Sequence, residues 1–144
     1  MKKIVIFLIL FCTLSGCALK NEIDAIVATQ NKDLERAGRP VRVAYTKQPG
    51  GVGNIDYGVW AGQPGTTVAN KQYQDFIFNY FETKCGLKKS DLKEVRVVSH
   101  NKPIWYEVWI FSDEKSIRPD KTSGRSVIMR YIPEENATDV FFVE

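Results

Sequence analysis

Residues 104–111, Ile-Trp-Tyr-Glu-Val-Trp-Ile-Phe, constrain the fold more than any other stretch. In an extended strand successive side chains point to opposite faces. Ile104, Tyr106, Val108 and Ile110 then share one face, and Trp105, Glu107, Trp109 and Phe111 share the other. Both faces are apolar, and a strand apolar on both sides belongs at the centre of a sheet covered above and below. One face is expected to pack on a helix. The second needs another helix, a hairpin or another protein. Left uncovered, Trp105, Trp109 and Phe111 would form a partner-binding surface, and these three are the candidate binding residues.

The covering helix is legible upstream. Tyr73, Phe76, Ile77, Tyr80 and Phe81 recur at three- and four-residue steps, which predicts a helix over about 68–85 with an aromatic stripe. Gly86 stands where a left-handed residue ends a helix, and Leu87 follows as the apolar contact of a Schellman ending. A first helix is expected over about 21–37. Asn21 would cap it, Ile23, Ile26, Val27 and Leu34 would form its apolar face, and Gly38 and Pro40 would stop it. Residues 41–45 and 55–60 alternate and read as a hairpin, with Val41, Val43, Tyr45, Ile55, Tyr57 and Val59 inward. The Gly-rich residues 50–53 between them lack the Gly-Lys-Ser/Thr ending of a phosphate loop and open no helix, so they are turn chemistry. Further strands are expected at 94–99, 104–111, 125–132 and 138–143. The order α-β-β-α-β-β-β-β predicts an α+β fold, two helices packed on a mainly antiparallel sheet of about six strands.

The N-terminus has a different character. Lys2 and Lys3 precede an apolar run, Ile4 to Phe11, and smaller residues lead to Cys17. This is the layout of a secretory signal, and the run is shorter than the ~20 residues a membrane-spanning helix needs. Leu14-Ser15-Gly16-Cys17 resembles the lipobox of bacterial lipoproteins, a likeness confined to this stretch. It implies cleavage before Cys17 and lipid on the Cys17 thiol and amine, so Cys17 is the expected lipidation site. Ala18 in place of Asp favours the outer membrane by the same resemblance. The organisation expected is a signal peptide over 1–16, a lipidated tether over 17–20 and a single α+β domain over 21–144.

The remaining chemistry is sparse. The net charge of +3 falls to +1 once Lys2 and Lys3 leave, 18 cations against 17 acids, which gives no general pull toward nucleic acid. Cys12 goes with the signal and Cys17 takes lipid, so Cys85 is left without a disulfide partner and reads as a small buried hydrophobe. His100, the one histidine, falls in an expected turn. With neither HExxH nor CxxC, no metal site is expected. Asp113/Glu114 and Glu134/Glu135 fall in expected loops. The 112–125 loop, basic through Lys115, Arg118, Lys121 and Arg125, reads as a solvated, mobile loop, with an adaptable contact loop toward an acidic partner as the alternative.

Together these features point to a lipid-anchored periplasmic protein that is not an enzyme. It would use no cofactor and bind neither nucleic acid nor metal. Its expected partners are the membrane, through Cys17, and an envelope protein, in an assembly, inhibitor, immunity or exclusion role. The alternatives are a cell-wall hydrolase using Cys85 and His100 or a carboxylate pair, and a small-ligand carrier with an apolar cavity between the 41–60 hairpin, the second helix and the sheet.

Overall fold

The computed structural model describes residues 2–50 and 53–143, with the backbone alone for residues 2–18. The chain divides into two compact units. One comprises the residues up to 36 together with 42–59, the other residues 37–41 and those from 60 onward.

In the first unit, helix α1 (Lys2–Arg36) precedes a two-stranded sheet of β1 (Val41–Lys47) and β2 (Gly53–Trp60). The helix expected to begin at Asn21 is the second half of a continuous one, and residues 17–20, expected as a tether, are helical. Residues 17–21 hold neither proline nor glycine, and Ala, Leu and Lys are strong helix formers, so nothing there breaks the ladder. The Cys17 side chain lies outside the described residues. Ile23, Val27, Asn31 and Leu34 form the half-buried stripe, while Ile26 is exposed. Asn31 ties helix to strand: its Oδ1 accepts the Val43 N–H at 2.7 Å and its Nδ2 donates to the Val43 carbonyl at 2.9 Å. Glu35 adds an ion pair to Arg42 at 3.6 Å. Of the six residues expected inward, Val43 is buried and Val41 and Tyr45 are half-buried. Ile55, Tyr57 and Val59 are exposed, Tyr57 at 62%. Alternation identifies a strand, but it does not say that a second layer lies over it.

The second unit is an α+β body. Its antiparallel sheet has the order β3 (Gln63–Gly65), β4 (Leu92–Asn101), β5 (Ile104–Ser112), β6 (Thr122–Ile132), β7 (Ala137–Val143). β5 is central, as its two apolar faces require. The strands thus form two sheets rather than one. Residues 63–65 make a short edge strand absent from the expected order; Pro64 is tolerated there because one side of an edge strand has no ladder to supply.

Helix α2 (Lys71–Cys85) begins just after Asn70, whose Oδ1 accepts the Tyr73 N–H at 3.0 Å. It ends at Gly86 with φ 69°, a left-handed conformation that only glycine adopts freely. The Gly86 N–H reaches Glu82 O and the Leu87 N–H reaches Phe81 O, so the ending is the αL cap rather than the Schellman pair. Leu87 is buried as expected. Ile77, Phe78 and Phe81 pack down on Trp109, Phe111, Val127 and Met129. The rings meet edge to face: Phe78 with Trp109 at 5.1 Å between centroids, and Phe81 with Phe111 at 5.4 Å.

The Trp109 face is therefore core. Trp109 is 1% exposed and Phe111 0%, and this corrects the expected binding surface of Trp105, Trp109 and Phe111. α2 already covers it, and Trp105 alone remains half-buried. The opposite face, Tyr106, Val108 and Ile110, packs with Trp60, Ala61, Val98 and Ile128. Trp60, the last residue of β2, and the irregular backbone that follows it lie on this face; the Ala61 N–H donates to the Pro40 carbonyl at 2.9 Å, and the Tyr106 hydroxyl donates to the Arg39 carbonyl. Trp60 lies on Gly124, where a Cβ would stand 2.3 Å from the ring, so this strand position needs glycine.

Phe81→Ala should lower unfolding free energy by about 3–5 kcal/mol. Phe76→Ala, at a residue 51% exposed on the same helix, should cost less than about 1 kcal/mol. Urea unfolding of both variants checks whether α2 is held by its buried rings.

Candidate functional site

Glu107 is the unexpected member of the core. It sits in the middle of β5 among Trp105, Trp109 and Phe111 and is 0% exposed. Leaving a charge there without partners would cost several kcal/mol. Three donors meet it. The Val68 N–H reaches Oε1 at 2.8 Å, His100 Nε2 reaches the same oxygen at 3.0 Å, and Trp109 Nε1 reaches Oε2 at 2.9 Å. In the tautomer that carries its proton on Nε2, His100 is the third donor to this carboxyl.

His100 reaches Glu107 because β4 is irregular. Val97 opposes Glu107, but Ser99 opposes Tyr106 and His100 opposes Trp105. The extra residue between Val97 and Ser99 shifts the register by one, and a one-residue shift moves a side chain to the other face. In unbroken register His100 would oppose Ile104 and point away from Glu107. The histidine expected in a turn is thus the end of a strand, re-aimed by a bulge. Its side chain stays partly exposed, so the Glu107 network communicates with the surface through the imidazole.

Beside this network opens a cleft of about 150 Å³, lined by Val68, Ala69, Asn70, Tyr73, Trp105, Met129 and Thr138. The segment that bonds Glu107 through Val68 forms one wall, and the start of α2 continues it. The sheet supplies the floor. The lining carries no charged side chain. The volume suits one ring or branched aliphatic group and falls below the several hundred Å³ of ordinary small-molecule sites.

The other expected chemistry is dispersed. Cys85 closes the last turn of α2 and packs against the core, whereas His100 shares Glu107 with Val68, just before the first turn. A helix of 15 residues is roughly 22 Å long, so the two do not form a dyad. Glu134 and Glu135 are exposed in the turn between β6 and β7. No group of three or more metal-ligating residues occurs among the described residues.

The 113–121 loop holds itself together. Asp113 takes the Ser123 hydroxyl and the Lys115 N–H, Asp120 takes the Thr122 hydroxyl at 2.7 Å, and the Ser116 hydroxyl donates to Thr122 O. The Arg118 guanidinium lies 4.1 Å above the Trp60 ring. The Ser123 hydrogen bond, most of all, holds the Asp113 carboxyl below the usual aspartate range, and the Thr122 hydroxyl does the same for Asp120. Ile117 at the tip is fully exposed.

The Glu107–His100 pair is not among the groupings the sequence pattern predicts. The available signal was a lone acid alternating with three aromatics, which marks a buried polar group in need of donors. No family model matches this chain, nor does any curated protein or solved structure.

Glu107→Leu should destabilise by about 3–5 kcal/mol, since its three hydrogen-bond partners lose the carboxyl, and Glu107→Gln by less, since an amide oxygen in the place of Oε1 keeps Val68 and His100 and loses only Trp109. Urea midpoints of the two variants test this order. Asp113 acts with the opposite proton linkage to a raised group. A depressed folded pKa gives stability that is full above the unfolded value near 3.9 and is lost as pH falls through the lower folded value. Asp113→Asn should therefore unfold at lower urea than the parent at pH 7, with the two midpoints converging as the pH falls below the usual aspartate range.

Proposed function

We propose that this chain is a lipid-anchored protein of a bacterial cell envelope, tethered at the periplasmic face of the outer membrane, that works by binding another envelope protein. One observation carries the reading: Leu14-Ser15-Gly16-Cys17 directly follows a short cationic segment and an apolar run too brief to span a bilayer. One acyl chain holds a protein reversibly and two or more hold it stably, so the body would be leashed rather than embedded. No helix among the described residues is long and apolar enough to cross a membrane.

The geometry favours recognition over catalysis. Cys85 and His100 sit at opposite ends of α2, and the buried carboxyl is held by three hydrogen bonds where the 68–70 segment meets the sheet. The one cleft described above is sized for a side chain, which supports a macromolecular partner over a free small ligand.

Mass spectrometry of the mature N-terminal peptide should find acylated Cys17, and Cys17→Ala should move the chain from the membrane fraction to the soluble one. An unmodified Cys17 peptide, or parent and variant fractionating alike, overturns the anchor.

A further inference from the structure

β7 ends the sheet with a single strand neighbour, β6. Its pairing runs without a bulge from Ser126↔Val143 to Ile132↔Ala137. Every other main-chain N–H and C=O of such a strand points away from its neighbour. Natural edges are usually blunted by proline, lysine, a bulge or brevity. The opposite edge, β3, is three residues long and contains Pro64. β7, Ala-Thr-Asp-Val-Phe-Phe-Val, has neither proline, lysine nor a bulge, and its one charged side chain is Asp139.

Its surroundings are specific. Val140 and Phe142 pack on the α2 side, where Phe142 stacks on Tyr80 at 3.9 Å and meets the largely exposed Phe76 at 6.0 Å. Thr138, on the same face, lines the uncharged cleft. Asp139 is already neutralised by Arg130 at 3.0 Å. Glu134 and Glu135, exposed in the turn leading into β7, have no cationic partner among the described residues.

We propose that β7 is a docking edge for an extended segment of another protein. The segment adds to the sheet as its sixth strand, places one uncharged apolar side chain in the cleft, and carries a lysine or arginine where it passes Glu134 and Glu135. Main-chain pairing supplies affinity and the cleft supplies selectivity. A second copy of this chain fits poorly, because its β7 has no cation to offer and is followed by Glu144. The inference rests on the reading of this chain as an envelope-protein binder.

A photo-crosslinking amino acid is placed at Thr138 of the full chain in cells and, separately, at Tyr57 on β2. The Thr138 site should capture an apolar peptide bounded by lysine or arginine. Of Asp139→Pro and Val140→Pro, the one that removes an outward N–H should abolish capture while keeping the parent urea midpoint. Glu134→Gln with Glu135→Gln should weaken capture about fivefold. With the purified chain, a short capped peptide of alternating threonine and valine with terminal lysines should slow exchange of alternate β7 amides, and its glutamate counterpart should not. This measurement decides the matter if both proline variants unfold. Capture of a second copy, capture that survives both prolines, or absent β7 protection overturns the docking edge. Capture from Tyr57 with Thr138 silent overturns the edge but leaves the binding reading intact. Silence at both sites overturns that reading as well.

Discussion

A carboxylate placed at the centre of a two-sided core sets the terms for the second unit. Glu107 cannot stay on β5 without donors, and the donors it finds come from three separate places: the segment before α2, the end of β4 and its own strand two residues on. Burying the charge and closing these elements on one another are therefore one event. The Val68 bond positions the chain that becomes the Asn70 cap, and from there α2 runs across Trp109 and Phe111. The purely apolar core lies under the helix. The polar network lies at its N-terminal end, where the cleft opens.

The two faces of β5 solve the same burial problem differently. On one side an amphipathic helix supplies large rings, and edge-to-face contacts give each aromatic a defined place. On the other, the chain returns twice as irregular backbone, and irregular backbone brings unpaired N–H and C=O groups with it. The Ala61–Pro40 bond and the Tyr106 hydroxyl on Arg39 satisfy some of these groups. That the tyrosine falls on this face is consistent with the need: it is the one side chain of Ile104, Tyr106, Val108 and Ile110 with a donor at its tip.

Much of the architecture was legible because it is carried by local chemistry. The central strand, the aromatic helix with its glycine ending and the last two strands all follow from periodicity and caps, and they lie where those signals place them. Three features were not legible, each for a physical reason. β3 is three residues with a proline, too short for a period. The exposed faces of Ile55, Tyr57 and Val59 depend on whether a second layer exists, which alternation does not encode. The Glu107–His100 pair depends on one extra residue in β4, and neither Val98 nor its neighbours is a glycine that would announce a bulge. The binding face inferred from Trp105, Trp109 and Phe111 failed because the aromatic stripe of α2 was already its partner.

Under the proposed reading, anchorage and a small docking edge belong together. A single added strand with one anchoring side chain buries much less than a standard protein interface and gives correspondingly modest affinity in free solution. Lipid on Cys17 would change the arithmetic, because confining binder and partner to one membrane surface raises their effective concentration without adding any contact. A long, pairable edge such as β7 is also a hazard to a freely diffusing protein, since it invites association with any exposed strand. Tethering would restrict which strands it meets, and the acid pair at its entrance would penalise acidic ones. On this view the edge remains unblunted because localisation, rather than proline or lysine within the strand, limits its partners.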